Sequence, residues 1–227
     1  MKKFLVVAAL FLACSSFAAE PDPLVGADAK TLLENLQKKM SSLRSVYLEF
    51  TQERHLKLFS EPLKSEGLML IEQPEQIRWE TTAPFQSILL ANRKSVAQFE
   101  NTDGKWKKLK LGFPQMLRRV MEQMVQMHQG NLSAMTGDYD ISVSTNTAAV
   151  MLKFVPKDDS VRSFLSSLEV KVQPDFSAMQ TVVMNEPGGD FTKLIFQREV
   201  RNAKFPPDTF DQTKPLDAAS IKAAVNK

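Results

Sequence analysis

The sequence predicts a mainly β, α+β fold: an open antiparallel half-barrel of about ten or eleven strands, with covering helices around an apolar cavity. Three observations point there. A single amphipathic helical stretch opens the chain's folded part, a long succession of period-two runs follows it, and turn-forming residues sit between those runs at short intervals. Alternating strand and helix, the signature of a parallel sheet, is absent from this pattern.

The opening helix spans Asp28 to Leu43, where Leu32, Leu33, Leu36, Met40 and Leu43 recur at three- and four-residue spacing and Asp28 is suited to the N-cap. After Ser45 the period changes to two: Val46, Leu48 and Phe50 alternate with Tyr47, Glu49 and Thr51. Further strands are expected at 66–71, 76–80, 86–91, 95–100, 105–109, 139–144, 149–156, 164–172, 180–185 and 191–201. Their joints carry turn chemistry, as in Gln73-Pro74-Glu75, Thr102-Asp103-Gly104, Lys157-Asp158-Asp159, Pro174-Asp175 and Pro187-Gly188-Gly189-Asp190. One helical insert interrupts the meander from Phe113 to Gln129, with Pro114 suited to its first turn and Gly130 to its stop. The last stretch, 217–227, is Ala- and Lys-rich and reads as a frayed helix or a disordered tail after a single domain over 19–216.

The first residues have a secretory layout. Lys2 and Lys3 precede an uncharged apolar run from Phe4 to Ala13, and Ser16-Phe17-Ala18 supplies small residues before a cleavage expected after Ala18. That run is about half of the roughly 20 residues a membrane-spanning helix needs. Residues 1–18 are therefore expected to be a signal peptide and the protein to act in the periplasm; lipidation of Cys14 is the alternative, which would tether it to a membrane. Cleavage removes Lys2 and Lys3 and lowers the formal charge from +3 to +1, so net charge argues for no nucleic-acid partner. Cys14 is the one cysteine, which leaves no disulfide framework and no thiol chemistry within the domain.

Catalytic and metal signatures are missing. The chain has two histidines, His55 and His128, and no HExxH, CxxC, GxSxG or glycine-rich phosphate loop. His55 reads as an exposed loop residue and His128 as a satisfied histidine on a helix stripe. Asp138 and Asp140, and Asp158 and Asp159, are acidic pairs at expected turns, while Glu80 is expected to face solvent. The expectation is a protein that is not an enzyme and needs no cofactor.

The insert supplies a different chemistry. Leu117, Met121, Met124 and His128 form one helical stripe, which Met116, Val120 and Met127 broaden. Methionine is flexible and polarizable and packs against partners of variable shape, acyl chains among them; a core helix using Met in place of Leu is the plainer alternative.

Several segments then resemble a known family. Phe50-Thr51-Gln52, Gly67-Leu68-Met69-Leu70, Gln73-Pro74-Glu75-Gln76-Ile77-Arg78-Trp79-Glu80, Pro84 and Ser87-Ile88-Leu89-Leu90 follow one another as in the LolA family of periplasmic lipoprotein carriers. Phe191 to Phe196, then Asn202, Pro206 and Phe210, resemble that family's closing segment. The resemblance implies acyl chains held between sheet and helices, a lipoprotein or lipid cargo, an inner-membrane ABC-type release complex, an outer-membrane acceptor and a monomeric carrier. Phe50, Leu68, Leu70, Ile77, Trp79, Ile88 and Leu90 belong to its strand core, and with Leu117, Val120, Met121 and Met124 they form the expected lipid-binding set. Strand parity leaves open which of them face the cavity. Gln73 departs from the family, where a basic residue often precedes the proline, and the methionine-rich helix and the stretch after Phe210 are also unusual. A membrane-tethered acceptor and a periplasmic partner-sensing module on the same sheet remain alternatives; a hydrolase is a further one.

Overall fold

Period-two patterning emerges as one continuous sheet in a computed structural model, which describes residues 22–112, 125–126, 132–213 and 216–226. The elements are β1 (Asp22–Leu24), α1 (Gly26–Met40), β2 (Ser45–His55), β3 (Leu63–Glu72), β4 (Gln76–Ala83), β5 (Ser87–Ala91), β6 (Val96–Thr102) and β7 (Lys105–Leu109). They continue with α2 (Leu132–Met135), β8 (Tyr139–Thr145), β9 (Val150–Pro156), α3 (Asp159–Arg162), β10 (Ser167–Val172), β11 (Met179–Asn185), β12 (Phe191–Arg201), a 3₁₀ turn (Pro207–Phe210) and α4 (Ala218–Val225). Among the described residues twelve strands form one sheet in the order β1-β8-β9-β10-β11-β12-β2-β3-β4-β5-β6-β7. Every neighbouring pair is antiparallel, and β1 and β7 are its two edges, so the sheet is open.

All eleven strands expected from alternation are present. The twelfth, β1, is a three-residue strand against β8, with Leu24 opposite Val143, and is too short to leave a periodic signal. Three element starts differ from expectation by two or three residues, among them β3, which begins at Leu63 instead of residue 66. Helix α1 begins at Gly26, behind Val25 as N-cap, which places Asp28 inside its first turn, where a carboxylate favours the positive helix end. Strand β10 begins at Ser167, because the Asp158 carboxylate accepts the Ser160 N–H at 2.7 Å and turns residues 159–162 into α3.

Both wings of the sheet contribute to one core. On β2 the residues Val46, Leu48 and Phe50, on β3 Met69 and Ile71, and on β4 Ile77 meet Leu36, Met40 and Leu43 at α1 and just beyond it. Val143, Val150, Leu152, Phe154, Val170, Val182 and Leu194 reach the same cluster from β8 to β12. The sheet therefore curls, and α1 fills its concave side.

Among the described residues the convex side is covered across β12 and β2 to β6. Tyr47, Leu68 and Leu70 pack with Phe205, Phe210, Leu216 and Ile221, and Ile88, Leu90, Ala97 and Phe99 pack with Trp106 and Phe210. The Ala- and Lys-rich end of the chain thus forms α4, with Ile221 fully buried. The Asp217 carboxylate caps this helix by accepting the Ser220 N–H at 2.9 Å. Across β8 to β10 the convex face is instead polar, as in the Lys153–Glu169 pair at 3.1 Å. Among the described residues no helix is long and apolar enough to cross a membrane.

Candidate functional site

The concave face is built by alternation along four adjacent strands, β2 to β5. Register sets Leu48 opposite Met69, Met69 opposite Trp79 and Trp79 opposite Leu89, and in the next row Val46, Ile71, Ile77 and Ala91. Residues directly opposed in an antiparallel pair share a face, so these rows form one apolar surface beneath α1. Phe50 and Trp79 meet edge to face, with ring centroids 5.6 Å apart and planes at 69°. Gly67 makes room for that pair: a Cβ there would lie 2.7 Å from Phe50 Cζ and 2.1 Å from the Glu80 carbonyl oxygen. Trp79, Leu89, Val96, Leu32, Leu33 and Phe196 are only partly buried around this cluster, so its margin keeps apolar surface within reach of a ligand. Val125, Leu132 and Met135 belong to the same cluster.

The expected lipid-binding set divides by face. Phe50, Ile77 and Trp79 belong to the concave cluster. Leu68 and Leu70 lie on the convex face under the C-terminal segment, and Ile88 and Leu90 lie there beside Trp106. One cavity cannot be lined from both faces of a sheet, so a concave site draws on the first three and on neighbours the sequence reading left out, namely Leu48, Met69 and Leu89. A one-residue shift of parity separates the two groups. Leu117, Val120, Met121 and Met124 lie outside the described residues, as does His128. Of the expected insert helix, the described residues Val125 and Gln126 are helical and Val125 is buried.

Polar residues are placed differently from expectation. Glu80 does not face solvent: it is 2% exposed, and its Oε2 accepts from Arg78 Nε at 3.0 Å and Nη2 at 2.6 Å. Arg78, 0% exposed, also donates Nη1 to the Thr209 carbonyl at 2.9 Å and Nη2 to the Leu216 carbonyl. The pair thus ties the C-terminal segment to the convex face. Burial pushes the Glu80 carboxyl up while Arg78 beside it pulls the other way. The signal available in the sequence was the i, i+2 spacing of Arg78 and Glu80, which puts opposite charges on one strand face.

Next to them the Tyr47 hydroxyl donates to Glu49 Oε1 at 2.7 Å, and burial followed by that bond holds it well above the usual phenol range. Glu49 is also met by Arg198 Nη1 at 3.2 Å and Lys222 Nζ at 3.7 Å; burial raises its carboxyl, but the Tyr47 bond and the two cations bring it below the usual range.

His55 is the last residue of β2 and not an exposed loop residue. Its ring stacks on Phe191 at 4.2 Å and lies 3.3 Å from Glu53 Oε2. Asp140 is on β8, 3.5 Å from Lys157 Nζ, because the turn ends one residue before that strand starts. Among the described residues no group of three or more His, Cys, Asp or Glu gathers to hold a metal.

The model of the family described as outer membrane lipoprotein carrier protein LolA matches residues 41–213. The chain belongs to the LolA family. The match covers β2 through the 3₁₀ turn and ends before α4, so the helix that closes the convex face lies beyond the matched part of this LolA-family protein. No curated protein matches the sequence.

Solved structures give distant likenesses. A LolA superfamily protein of Nitrosomonas europaea has a TM-score of 0.42 at 11% identity, covering 80% of this chain and 96% of its own. The lipoprotein LppX of Mycobacterium tuberculosis has 0.43 at 10%, covering 78% and 98%. The MucA/MucB complex of Pseudomonas aeruginosa has 0.38 at 17%, covering 82% and 61%. Assignment to the family rests on the sequence match.

Proposed function

We propose that this LolA-family protein is a periplasmic carrier that holds the acyl chains of a lipoprotein, or of a related lipid, against the concave face of its sheet. It takes its cargo from an inner-membrane ABC-type complex and delivers it to an outer-membrane acceptor. The family match over residues 41–213 carries this reading. The apolar rows Val46–Ile71–Ile77–Ala91 and Leu48–Met69–Trp79–Leu89 supply the physical means. Each buried methylene contributes about 0.8 kcal/mol, so part of one acyl chain is held without any polar contact. No catalytic group is needed for that work, and the protein acts by binding. The methionine stripe of the insert, with Leu117, Val120, Met121 and Met124, covers the same chains, so Met121→Glu weakens binding of a fluorescent acyl probe by placing a charge against them.

Native mass spectrometry with lipid extraction tests the proposal on protein taken from its own periplasm. Co-purified acylated peptide or lipid is the expected result and identifies the cargo. A clean protein that also ignores an acyl probe overturns it, and recovery of a lipid-free complex with a regulatory protein replaces it with the partner-sensing alternative.

A further inference from the structure

A second, polar site lies at the end of the sheet where β2 starts and β3 and β12 end, apart from the apolar rows. A groove of about 780 Å³ is lined by the segments 42–45, 72–74 and 202–205. Side chains knit these three segments together. Gln73 donates its backbone N–H to the Arg44 carbonyl at 2.8 Å and its Nε2 to the Leu43 carbonyl at 2.7 Å, and accepts from Arg44 Nη1 at 3.3 Å. The Arg44 N–H donates to Asn202 Oδ1 at 2.8 Å, the Asn202 N–H to the Ser45 carbonyl at 2.7 Å, and Ser45 Oγ to the Ala203 carbonyl at 2.5 Å. Asn202 holds a left-handed backbone (φ 54°) to close this ring. The walls are therefore fixed before any ligand arrives, as in most small-molecule sites, and the volume falls within their usual range of roughly 300–1,000 Å³.

The lining is chemically divided. Arg44 and Lys204 are exposed cations, and among the described residues neither has a carboxylate partner. Glu72 lines the same groove without a cationic partner among the described residues; Gln76 Nε2 lies 3.4 Å from its Oε2, and burial pushes its carboxyl up. Phe205 and Pro74 supply apolar wall. Two cations, one of them a planar fork, suit an anionic phosphate, a carboxylate without a cation suits an ammonium group, and the apolar wall suits a short carbon link.

We propose that this groove binds a phosphate–ammonium zwitterion of the phosphoethanolamine type, with the phosphate at Arg44 and Lys204 and the ammonium at Glu72. Such a group comes either as a phospholipid headgroup or as a free metabolite. This site is separate from the acyl-binding face and stands whether or not acyl chains are carried.

The test is calorimetric titration of the protein lacking residues 1–18 with O-phosphoethanolamine, inorganic phosphate and ethanolamine, alongside Lys204→Gln, Arg44→Gln and Glu72→Gln. Saturable binding of phosphoethanolamine is expected to be tighter than that of either half-ligand. Lys204→Gln and Arg44→Gln each weaken it about tenfold, the scale of losing one charge-assisted bond. Glu72→Gln removes the preference over inorganic phosphate while leaving phosphate binding intact. Flotation with phosphatidylethanolamine vesicles, lost on Lys204→Gln, assigns the source to a lipid headgroup; binding of the free compound without flotation assigns it to a soluble one. Absence of saturable binding in a folded protein, affinity indifferent to both cations, or equal affinity for phosphate and phosphoethanolamine overturns the proposal. Unchanged thermal unfolding midpoints separate loss of binding from loss of fold, because all three substituted side chains are at least partly exposed.

Discussion

Glu80→Ala removes the only carboxylate that bonds Arg78 among the described residues, at a site where Arg78 is 0% and Glu80 2% exposed. Two charge-assisted bonds, at 3.0 and 2.6 Å, disappear together, and among the described residues the guanidinium keeps the Thr209 and Leu216 carbonyls. Removing one partner of a buried pair costs about 3–5 kcal/mol, against roughly 0.2–1 kcal/mol for an exposed pair. For a domain of this size each kcal/mol moves the unfolding midpoint by about 2–4 °C, so Tm falls by roughly 6–20 °C. A total stability of about 5–15 kcal/mol makes this a large fraction. Urea unfolding followed by tryptophan fluorescence and circular dichroism measures it. Arg78→Met combined with Glu80→Leu removes both charges at similar volume and is expected to lose clearly less than Glu80→Ala alone, although two carbonyls then lack their donor. A loss within about 1 kcal/mol for Glu80→Ala refutes the reasoning, since the pair would then behave as a solvated one.

Other perturbations read other parts of the account. Gly67→Ala places a methyl against the Glu80 carbonyl and the Phe50 ring and is expected to destabilise by about 1–3 kcal/mol in denaturant titration; a neutral effect would mean the bulge beside it yields freely. Ile221→Ala empties the one fully buried position of α4 and costs about 2–4 kcal/mol, with amide exchange of 218–225 accelerating before that of β2 and β3; equal protection in both would mean that α4 is not separately docked. Tyr47 has a folded-state pKa raised above its unfolded value near 10, so its contribution is fully present below that value and is lost as pH rises through the folded one. In a Tyr139→Phe background, ultraviolet titration is therefore expected to show phenolate only as the protein unfolds in alkali, and a phenolate signal from folded protein in the ordinary range contradicts the burial.

Much of the sheet was legible because its strands are short, bounded by Gly, Pro, Asn and Asp, and apolar on alternate positions. The face assignment was not legible, for a physical reason. β3 reads Leu68-Met69-Leu70-Ile71 without a polar break, because α1 covers one side and the C-terminal segment the other. A strand buried twice loses the polar–apolar alternation that reports parity. The same double burial misled the reading of Glu80, whose partner lies two residues away on β4 and whose further anchors, Thr209 and Leu216, arrive from the far end of the chain. Residues 217–227 left a frayed helix and a disordered tail both open because an eight-residue helix has little stability alone, and the packing of α4 against Tyr47, Leu68 and Leu70 is a tertiary effect.

The two tryptophans offer the most direct test of acyl binding on the concave face, since Trp79 lies on it and Trp106 packs on the convex one. Trp106→Phe leaves Trp79 as the sole emitter, Trp79→Phe leaves Trp106, and each variant is titrated with an acyl chain brominated along its length. The account predicts saturable quenching of Trp79 and none of Trp106. Quenching of Trp106 with Trp79 unaffected would contradict it and move the acyl chain to the convex face.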